Sequence, residues 1–585
     1  MRYPIFALLV LGALVPVTAD AGVSSNPKLS LFDGHAVMAR IVIPEHPSEQ
    51  EKDAAGYFNE QAWLIFHFRL PIVSGGQMAD LRNSVVLGTT QDNPALQGAH
   101  DGAGLTWQGS FVVRRQSDSI LLVIGKDGPG VFNGAVYLAS FALQSEGAGA
   151  ALQTGTVRRD SPIRNRGTYN LVCWGLAPRY TRQDWEKVLD AMAEDGMNLI
   201  YFWLAGVFRS QSFPESFIYP ETPLTNEDIR QLIRYAHRRG IEFYAGSGVF
   251  AWFGVDAIAQ HHPEFRNLGI PYLSRTLPAA RQAMKRYLQE MYDTFPEADG
   301  MWLEIGDEGD YACHDPECQK PLDKFGSKEA GQASTSFLTE FSAELWAKHP
   351  SAKLVWGIGY PEAYRWDVKY YEDLRRNFQD PRYSFLEVRQ NWALQDENGV
   401  LRPIRRISPN TMHWDQYYAL PLRDVGERAR RVFEDGLAGY VVAFEPGFNS
   451  HSVFGRNVPF PVDRIPYRLT RFAYREFTQD PSLTWTGFRQ VLLSYFFGEG
   501  ADPELCDLTL TLFEFMRTGP ISGLYRELVD PADGHQYGKM LQPRLAAIEM
   551  RLAQIEPSLG PRAKGVGLPL LRQAIQDLRK GYSLE

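Results

Sequence analysis

The stretch MWLEIGDEGD, residues 301–310, joins an apolar run to a cluster of carboxylates and two glycines. Like charges repel each other, so this clustering gives the fold no evident stability. Glu308 closes the apolar run directly before a glycine, and Asp307 stands beside it. A positioned carboxyl group can donate a proton to a reacting atom. Glu308 and Asp307 are therefore the leading candidates for catalytic acids.

Other polar and aromatic residues stand at the ends of further apolar runs. The remaining catalytic candidates are Asp415, Glu445 and Glu387, and the substrate-binding candidates are Trp174, Trp203, Trp252, Tyr360, Arg389, Asn391, Trp392, His413, Trp414, Tyr417 and Asn449. Glycoside cleavage needs one carboxyl group that protonates the leaving oxygen and a second that stabilises or attacks the oxocarbenium-like centre. Sugar rings also present apolar C–H faces that stack on aromatic side chains. The combination is typical of glycoside-cleaving chemistry.

The elements that must position these residues alternate between strand and helix. Strands are predicted in GTYNLVCWG, MNLIYFWLA, IEFYAGSGVF, GMWLEIGDE, KLVWGIGY, YSFLEVRQNW, TMHWDQYY and GYVVAFEPGF. Several helices between them begin at Thr or Ser and end at Gly, as helix caps require. This pattern predicts an α/β fold with a parallel (β/α)₈ TIM barrel, whose chemistry sits at the carboxyl ends of the strands. A doubly wound open sheet is the alternative, but no phosphate-binding glycine loop follows the first strand.

Three regions flank the predicted catalytic barrel at residues 160–455. Residues 1–21 combine Arg2, an apolar run and an Ala-x-Ala site, which predicts a secretory signal peptide, with a single membrane anchor as the alternative. Residues 28–155 predict a small α+β domain, and residues 456–585 are mainly helical. The mature protein is therefore expected to be secreted or periplasmic.

Composition narrows the choice of partners. The formal net charge of −9 argues against nucleic acid or an anionic membrane, because no cationic surplus would neutralise phosphate. We expect an oligo- or polysaccharide substrate, no cofactor, no metal, and no membrane partner after signal cleavage; the oligomeric state stays open. Cys313 and Cys318 flank HDPE, and a short-loop disulfide is the leading interpretation in an oxidising compartment. A metal site that includes His314, or two free thiols, are the alternatives.

Several candidates also have a structural interpretation. Glu304 can point into the barrel layers or pair with an arginine, and Glu387 can form a salt bridge with Arg389 or Arg406. Structural ion pairs of this kind imitate active sites. His413 is expected to be a hydrogen-bonded wall residue rather than a metal ligand.

Parts of the chain resemble known glycoside hydrolases. VVLGTT and SILLVIGKDGPGVFNGAVYLASFAL are similar to the non-catalytic domain before the barrel in family 20 β-N-acetylhexosaminidases and family 67 α-glucuronidases. LTNEDIRQLIRYAHRRGIEFY resembles the helix and third strand of the hexosaminidases, and FPEADGMWLEIGDE resembles their strand that ends in His-x-Gly-Gly-Asp-Glu. FAYREFTQDPSLTWTGFRQVLLSYFFG is closer to the segment after the barrel in the α-glucuronidases. The resemblance implies the same barrel fold and a glycosidase activity.

The hexosaminidase resemblance implies substrate-assisted catalysis. Asp307 would hold the acetamido group of the substrate, and Glu308 would be the general acid. Two departures are visible: the family's His and first Gly are not matched around Glu304, and FEPGFN stands in place of its Trp-Gly-Glu on the last strand.

An α-glucuronidase-like interpretation keeps Glu308 as the acid. The base would then be Asp415, Glu387 or Glu445, and the cation for the uronate would be Arg389, Arg209 or Arg275. The segment GDEG…CHDPEC is also similar to a group of uncharacterised secreted glycosidase-like proteins, which would specify neither sugar.

Two other classes of function compete with a glycoside hydrolase of N-acetylhexosamine- or uronate-containing glycans. A non-catalytic carbohydrate-binding barrel would keep the aromatic residues but would have no reason to keep Asp307 and Glu308 adjacent. A metal-dependent hydrolase or deacetylase needs several His at strand ends, and His413 alone sits on a predicted strand.

Overall fold

The fold is given by a computed structural model. It describes residues 28–75, 81–97, 104–171, 177–266, 272–304, 328–358, 374–387, 389, 392–396, 398–415, 420–443, 462–518 and 531–584. The predicted signal peptide and the predicted disulfide between Cys313 and Cys318 lie outside these residues. Cys506 is described, is buried and has a free thiol whose pKa burial raises to about 11, so it is not a reactive nucleophile.

Two sheets precede the barrel. Their strands are β1 (Lys28–Phe32), β2 (Arg40–Ile43), β3 (Ile72–Ser74), β4 (Ser84–Thr89), β5 (Phe111–Ser117), β6 (Ile120–Gly125), β7 (Leu143–Glu146), β8 (Gly149–Gln153) and β9 (Val157–Arg159). The smaller sheet is antiparallel with the order β1-β8-β7, and the larger is mixed with the order β3-β2-β4-β6-β5-β9. Strands β5 and β6 pair as an antiparallel hairpin.

Helices α1 (Glu49–Phe66) and α2 (Gly128–Tyr137) cover the larger sheet. Helix α1 begins at Ser48, whose side chain forms a capping box with Glu51 and satisfies two backbone N–H groups that the helix itself leaves free. Both helices share one apolar core with β4 and β6.

The centre of the chain is a closed barrel of eight parallel strands. The next ten strands are β10 (Asn165–Leu171), β11 (Leu199–Trp203), β12 (Glu242–Gly248), β13 (Gly300–Glu304), β14 (Lys353–Gly357), β15 (Tyr383–Glu387), β16 (Ala393–Gln395), β17 (Leu401–Pro403), β18 (Thr411–Asp415) and β19 (Gly439–Ala443). Strand β10 pairs with both β11 and β19, which closes the sheet, while β16 and β17 form a separate hairpin. The predicted (β/α)₈ barrel is confirmed, and the open doubly wound sheet is excluded.

Helices surround the barrel and continue beyond it. Around the barrel they are α3 (Arg182–Glu194), α4 (Asn226–Arg238), α5 (Gly254–His261), α6 (Pro278–Thr294), α7 (Lys328–Lys348) and α8 (Leu422–Glu434); after it follow α9 (Tyr467–Gln479), α10 (Trp485–Phe497), α11 (Glu504–Thr518), α12 (Pro531–Ile555) and α13 (Leu568–Gly581). In the described part of the chain no helix is both long and apolar enough to cross a membrane.

The two faces of the barrel wall bury different sets of side chains. On β11, Ile200 and Phe202 belong to the core between wall and helices, while Tyr201 and Trp203 belong to the core inside the barrel. This alternation follows from the period of two along a strand. The inner core is rich in aromatic rings, namely Tyr169, Tyr201, Trp203, Tyr244, Trp302 and Trp414. A barrel of this size is filled by side chains and is not a pore.

A single carboxylate joins the three regions of the chain. Glu194 at the end of α3 accepts hydrogen bonds from the Tyr57 hydroxyl of α1 (2.9 Å) and from both terminal nitrogens of Arg468 on α9 (2.8 and 2.9 Å). Burial alone would raise the pKa of Glu194, but the charges of Arg468 and Arg471 outweigh it and hold this pKa well below its usual value. The ionised carboxylate therefore links the first domain, the barrel and the C-terminal helices.

Candidate active site

Strand β13 carries a carboxylate into the barrel interior. Glu304 ends the strand two residues after Trp302, so the period of two places both side chains on the inner face. Glu304 is 3% exposed, and its strand neighbours in register are Gly248 and Gly357. The interior therefore holds an acidic side chain at its carboxyl end, where barrel enzymes carry out their chemistry.

The glycine at position 357 makes room for this pair. A Cβ placed on Gly357 would lie 3.0 Å from Nε1 of Trp302 and 3.2 Å from Cγ of Glu304. Both side chains thus converge over the same point of β14. Trp302 also extends over β12, because a Cβ on Gly246 would lie 2.7 Å from its Cε3 atom.

A cluster of aromatic rings that includes Trp302 extends toward β11 and the segment after β12. The ring centroid of Trp203 lies 5.2 Å from that of Trp302, 5.7 Å from Trp252 and 5.8 Å from Phe253. Trp203 is fully buried, whereas Trp252 and Phe253 are partly exposed. The rings of Trp203, Trp252 and Phe253 together form an aromatic wall. Trp203 is its buried support, and Trp252 and Phe253 are its accessible part.

The backbone at Trp252 and Phe253 is strained. Their φ angles are +82° and +51°, a region that residues with a Cβ rarely adopt. Each such residue costs about 1–3 kcal/mol, and strain of this kind concentrates at functional sites. The backbone N–H of Trp252 donates to Oδ1 of Asp256 at 2.6 Å.

Glu387 lies on the other side of the barrel wall. Its neighbour Leu386 faces the interior, so Glu387 faces the surrounding helices, where it is 0% exposed. Nε of Arg389 donates to Oε2 of Glu387 at 2.8 Å, and Nη1 of Arg389 lies 3.7 Å from Oδ2 of Asp435. The salt bridge between Glu387 and Arg389 that the sequence suggested is present. This placement does not present Glu387 to a ligand inside the barrel.

Asp415 and His413 share that outer location. Nε2 of His413 lies 3.4 Å from Oδ1 of Asp415, and the hydroxyl of Tyr440 and the guanidinium of Arg428 also contact the Asp415 carboxylate. Burial alone would raise the pKa of Asp415, but the charges of His413 and Arg428 and the hydrogen bond from Tyr440 outweigh it and lower this pKa. The Asp415 side chain is therefore a buried anion among structural partners.

Trp392 covers the same outer cluster. Its φ is +60°, and its ring centroid lies 5.0 Å from that of His413. The guanidinium of Arg389 lies 5.6 Å from the Trp392 ring. Trp414 behaves differently, because it belongs to the inner core and its ring lies 5.2 Å from Tyr169.

The structure thus divides the described candidates into two groups. Trp203, Trp252 and Trp414 lie with the inner core, while the outer group contains Glu387, Arg389, Trp392, His413 and Asp415. The remaining candidates lie outside the described residues: Glu308, Asp307, Glu445, Trp174, Tyr360, Asn391, Tyr417 and Asn449.

The other two arginines proposed for a uronate also lie apart from each other. Arg209 is exposed on the outer flank of the barrel, where its guanidinium lies 4.6 Å from the Phe217 ring and lines a groove with Arg286 of α6. Arg275 is 3% exposed, lies shortly before α6 and is 5.7 Å from the Phe250 ring. Arg275 is therefore a buried cation on the side of the barrel where the strands end and the helices begin.

Two residues of this region had no catalytic or binding role assigned from the sequence: Asp256 was not considered, and Glu304 was expected either to point into the barrel layers or to pair with an arginine. Glu304 shares the inner face with Trp302, and their spacing of two residues was the available signal. Asp256 had no comparable signal, because its contact with Trp252 depends on a backbone conformation that the sequence does not reveal. Within the described residues, no cluster of three or more His, Cys, Asp or Glu side chains is placed to hold a metal ion.

Solved structures of several glycoside hydrolases share this fold. The Flavobacterium johnsoniae chitobiase, a GH20 enzyme, has 13% sequence identity and a TM-score of 0.51, with 95% of this chain and 90% of that chain covered. A GH138 enzyme targeting pectin rhamnogalacturonan II has 12% identity and a TM-score of 0.55, covering 92% and 68%. A GH115 4-O-methyl-α-glucuronidase with specificity for decorated arabinogalactans has 12% identity and a TM-score of 0.53, covering 95% and 73%.

These similarities concern the fold, because the identities are low. The sequence matches no protein-family model, and no curated protein matches it either. The resemblance to β-N-acetylhexosaminidases is confirmed at the level of the fold, and an α-glucuronidase of a further family shares that fold.

Proposed function

We propose that the protein is a secreted or periplasmic glycoside hydrolase that cleaves glycans containing N-acetylhexosamine or uronic acid. The observation that carries the proposal is that Trp302 and Glu304 lie on the inner face of β13. Their side chains therefore lie at the carboxyl end of a barrel interior that is rich in aromatic rings. Asp307 and Glu308 follow this strand directly in the sequence. No other described barrel strand ends in an inward-facing carboxylate.

In the proposed reaction Glu308 is the general acid that protonates the leaving oxygen. Asp307 assists by holding the substrate's acetamido group as it attacks the anomeric carbon, as in the hexosaminidases that the sequence resembles. Trp252 and Phe253 supply an apolar wall for the sugar ring, because C–H faces pack well on aromatic rings. Glu304 offers a carboxylate that accepts hydrogen bonds from sugar hydroxyls.

The α-glucuronidase-like alternative depends on the available base and cation. Glu387, Asp415 and Arg389 lie in the outer cluster and not in the barrel interior. This placement argues against Glu387 or Asp415 as the base and against Arg389 as the cation that binds the uronate. Glu445 and Arg275 are the candidates that remain for it. A barrel that binds glycans without cleaving them is the non-catalytic alternative.

A panel of aryl glycosides tests the proposal. The purified protein is assayed with β-N-acetylhexosaminides and α-glucuronides, first as the parent and then as Glu308→Gln. The substitution keeps the shape of the side chain and removes its proton, so kcat on substrates with poor leaving groups should fall by about 10²–10⁴-fold.

Leaving-group dependence separates an acid from a binding residue. Substrates with strongly acidic phenol leaving groups need little protonation, so Glu308→Gln should retain much of its rate on them. Glu344→Gln, on the exposed surface of α7, is the control and should match the parent. Equal rates for Glu308→Gln and the parent on every glycoside would remove Glu308 as the acid, and binding without cleavage by the parent would support the non-catalytic barrel.

A further inference from the structure

We propose that Asp256 is a positioning residue that holds Trp252 against Trp203, so that Trp252 forms one wall of a subsite for a pyranose ring. The inference rests on the proposed glycoside hydrolase function for the nature of the ligand. It assigns a role to a carboxylate that lies outside the acid pair.

The position of Trp252 is the first step. It follows the carboxyl end of β12, and Val249 of the connecting segment donates a backbone hydrogen bond to the carbonyl of Glu304 at 3.0 Å. The Trp252 ring packs 5.7 Å from that of Trp203, at the edge of the inner core, and stays partly exposed. An aromatic face beside the acidic end of β13 is therefore accessible to a ligand.

The conformation of Trp252 needs support from its surroundings. Its φ angle is +82°, and the φ angle of Phe253 is +51°. Two successive residues with side chains therefore adopt a backbone region that favours glycine. A hydrogen bond of 2.6 Å from the Trp252 N–H to Oδ1 of Asp256 fixes this turn, and the N–H of Val255 donates to the Trp252 carbonyl at 3.1 Å. Both polar groups of the Trp252 backbone are thus used to hold the turn.

Asp256 itself is anchored through α5. Gly254, the first residue of that helix, lies so close to the loop after β11 that an added Cβ would overlap the Ser216 carbonyl oxygen and come within 2.7 Å of the Gly206 nitrogen. The beginning of α5 is therefore fixed against the barrel. The hydrogen bond from the Trp252 N–H to Asp256 in turn restrains the backbone of Trp252.

Comparison with two other barrel helices shows that this use of the residue is specific. In α3 and α4 the aspartates at the third helical position, Asp184 and Asp228, form capping boxes with Thr181 and Thr225. In α5 the N-cap residue is Phe253, which has no capping side chain, and the aspartate at the same position reaches one residue further back to Trp252. The aspartate in α5 thus serves the aromatic wall in place of an ordinary cap.

Three variants test the inference in the full-length protein. Asp256→Ala removes the acceptor and should raise KM about tenfold while kcat changes less than threefold, because Trp252 contributes binding rather than chemistry. Asp256→Asn keeps an oxygen acceptor and should restore a KM close to that of the parent. Asp184→Ala is the matched control, since it removes an aspartate at the equivalent helical position and should lower Tm without changing KM.

A double-mutant cycle with Trp252→Ala decides whether Asp256 acts through Trp252. The inference requires that Asp256→Ala has no further effect on KM when Trp252 is already alanine, because both changes remove the same wall. Additive effects of the two substitutions on KM, or an equal rise of KM in Asp184→Ala, would overturn it.

A measurement without turnover separates this inference from the proposed function. Acrylamide quenching of tryptophan fluorescence is compared between Asp256→Ala and the parent, each with and without Trp252→Phe. Greater exposure of Trp252 in Asp256→Ala supports the positioning role even if no glycoside is cleaved, and unchanged quenching contradicts it. Cleavage of no glycoside by the parent would instead count against the proposed function.

Discussion

Trp414 and Asp415 are adjacent on β18, yet their side chains lie on opposite faces of the barrel wall. Trp414 packs inside against Tyr169, while the Asp415 carboxylate contacts Arg428 and Tyr440 on the helical side. One strand end thus supplies an aromatic ring to the interior and an anion to the scaffold. A position at the carboxyl end of a barrel strand therefore does not by itself make a carboxylate catalytic.

Replacing Asp415 should therefore affect stability. Asp415→Ala leaves the buried hydroxyl of Tyr440 and the guanidinium of Arg428 without this acceptor, and the free energy of unfolding should fall by about 2–4 kcal/mol. Urea unfolding followed by circular dichroism measures the change. The control is Asp293→Ala on the exposed face of α6, which should lower the free energy of unfolding by about 0–1 kcal/mol. Equal losses in the two variants would contradict the structural role assigned to Asp415.

The lowered pKa of Asp415 predicts a specific pH dependence of stability. A carboxyl group whose pKa is lower in the folded than in the unfolded chain stabilises the fold above the unfolded value of about 3.9, and this contribution is lost as the pH falls through the folded pKa. The difference in unfolding free energy between the parent and Asp415→Asn should thus stay constant from about pH 7 to 5. It should shrink below about pH 4, and a difference that grows toward acid pH would reverse the sign of the assigned shift.

Glu304 and Glu387 should respond differently to the same substitution. Glu304→Gln changes the carboxylate inside the barrel and should lower kcat/KM by at least about tenfold with little change in Tm. Glu387→Gln changes the outer ion pair with Arg389 and should lower the free energy of unfolding by about 1–3 kcal/mol while kcat/KM stays near the parent value. Steady-state kinetics and thermal unfolding of both variants test this difference. A catalytic defect confined to Glu387→Gln would indicate that the active site lies on the outer face of the barrel wall, which would contradict the proposed site.

The close contact at Gly254 makes a further prediction. Gly254→Ala places a methyl group against the backbone of Ser216 and Gly206, which cannot yield as a flexible side chain would, so stability should fall by about 1–3 kcal/mol or more. Gly560→Ala is the matched control, because nothing lies within 4 Å of an added Cβ there. Thermal unfolding should show a lower Tm for the first variant alone.

The fold was largely predictable, because each of the eight apolar segments chosen from the sequence overlaps one barrel strand. The face on which each strand-end side chain lies was less predictable. Strands of a parallel barrel are buried on both faces, so they lack the alternation of apolar and polar residues that would distinguish inside from outside. Glu387, His413 and Asp415 were therefore named as catalytic or binding candidates, whereas Glu304 was given only a structural interpretation. The strained turn at Trp252 was also hidden, since neither Trp252 nor Phe253 is a residue that favours positive φ.

The carboxylate of Glu194 has a consequence for any attempt to dissect the protein. It accepts hydrogen bonds from a hydroxyl group of the first domain and from a guanidinium group of the C-terminal helices, so removal of either region would take away a partner of this carboxylate. A barrel expressed alone would expose the apolar surface that the other two regions cover. It would also lose Arg468, whose positive charge stabilises the ionised Glu194 carboxylate. We therefore expect the barrel expressed alone to be less stable than the chain that contains all three regions.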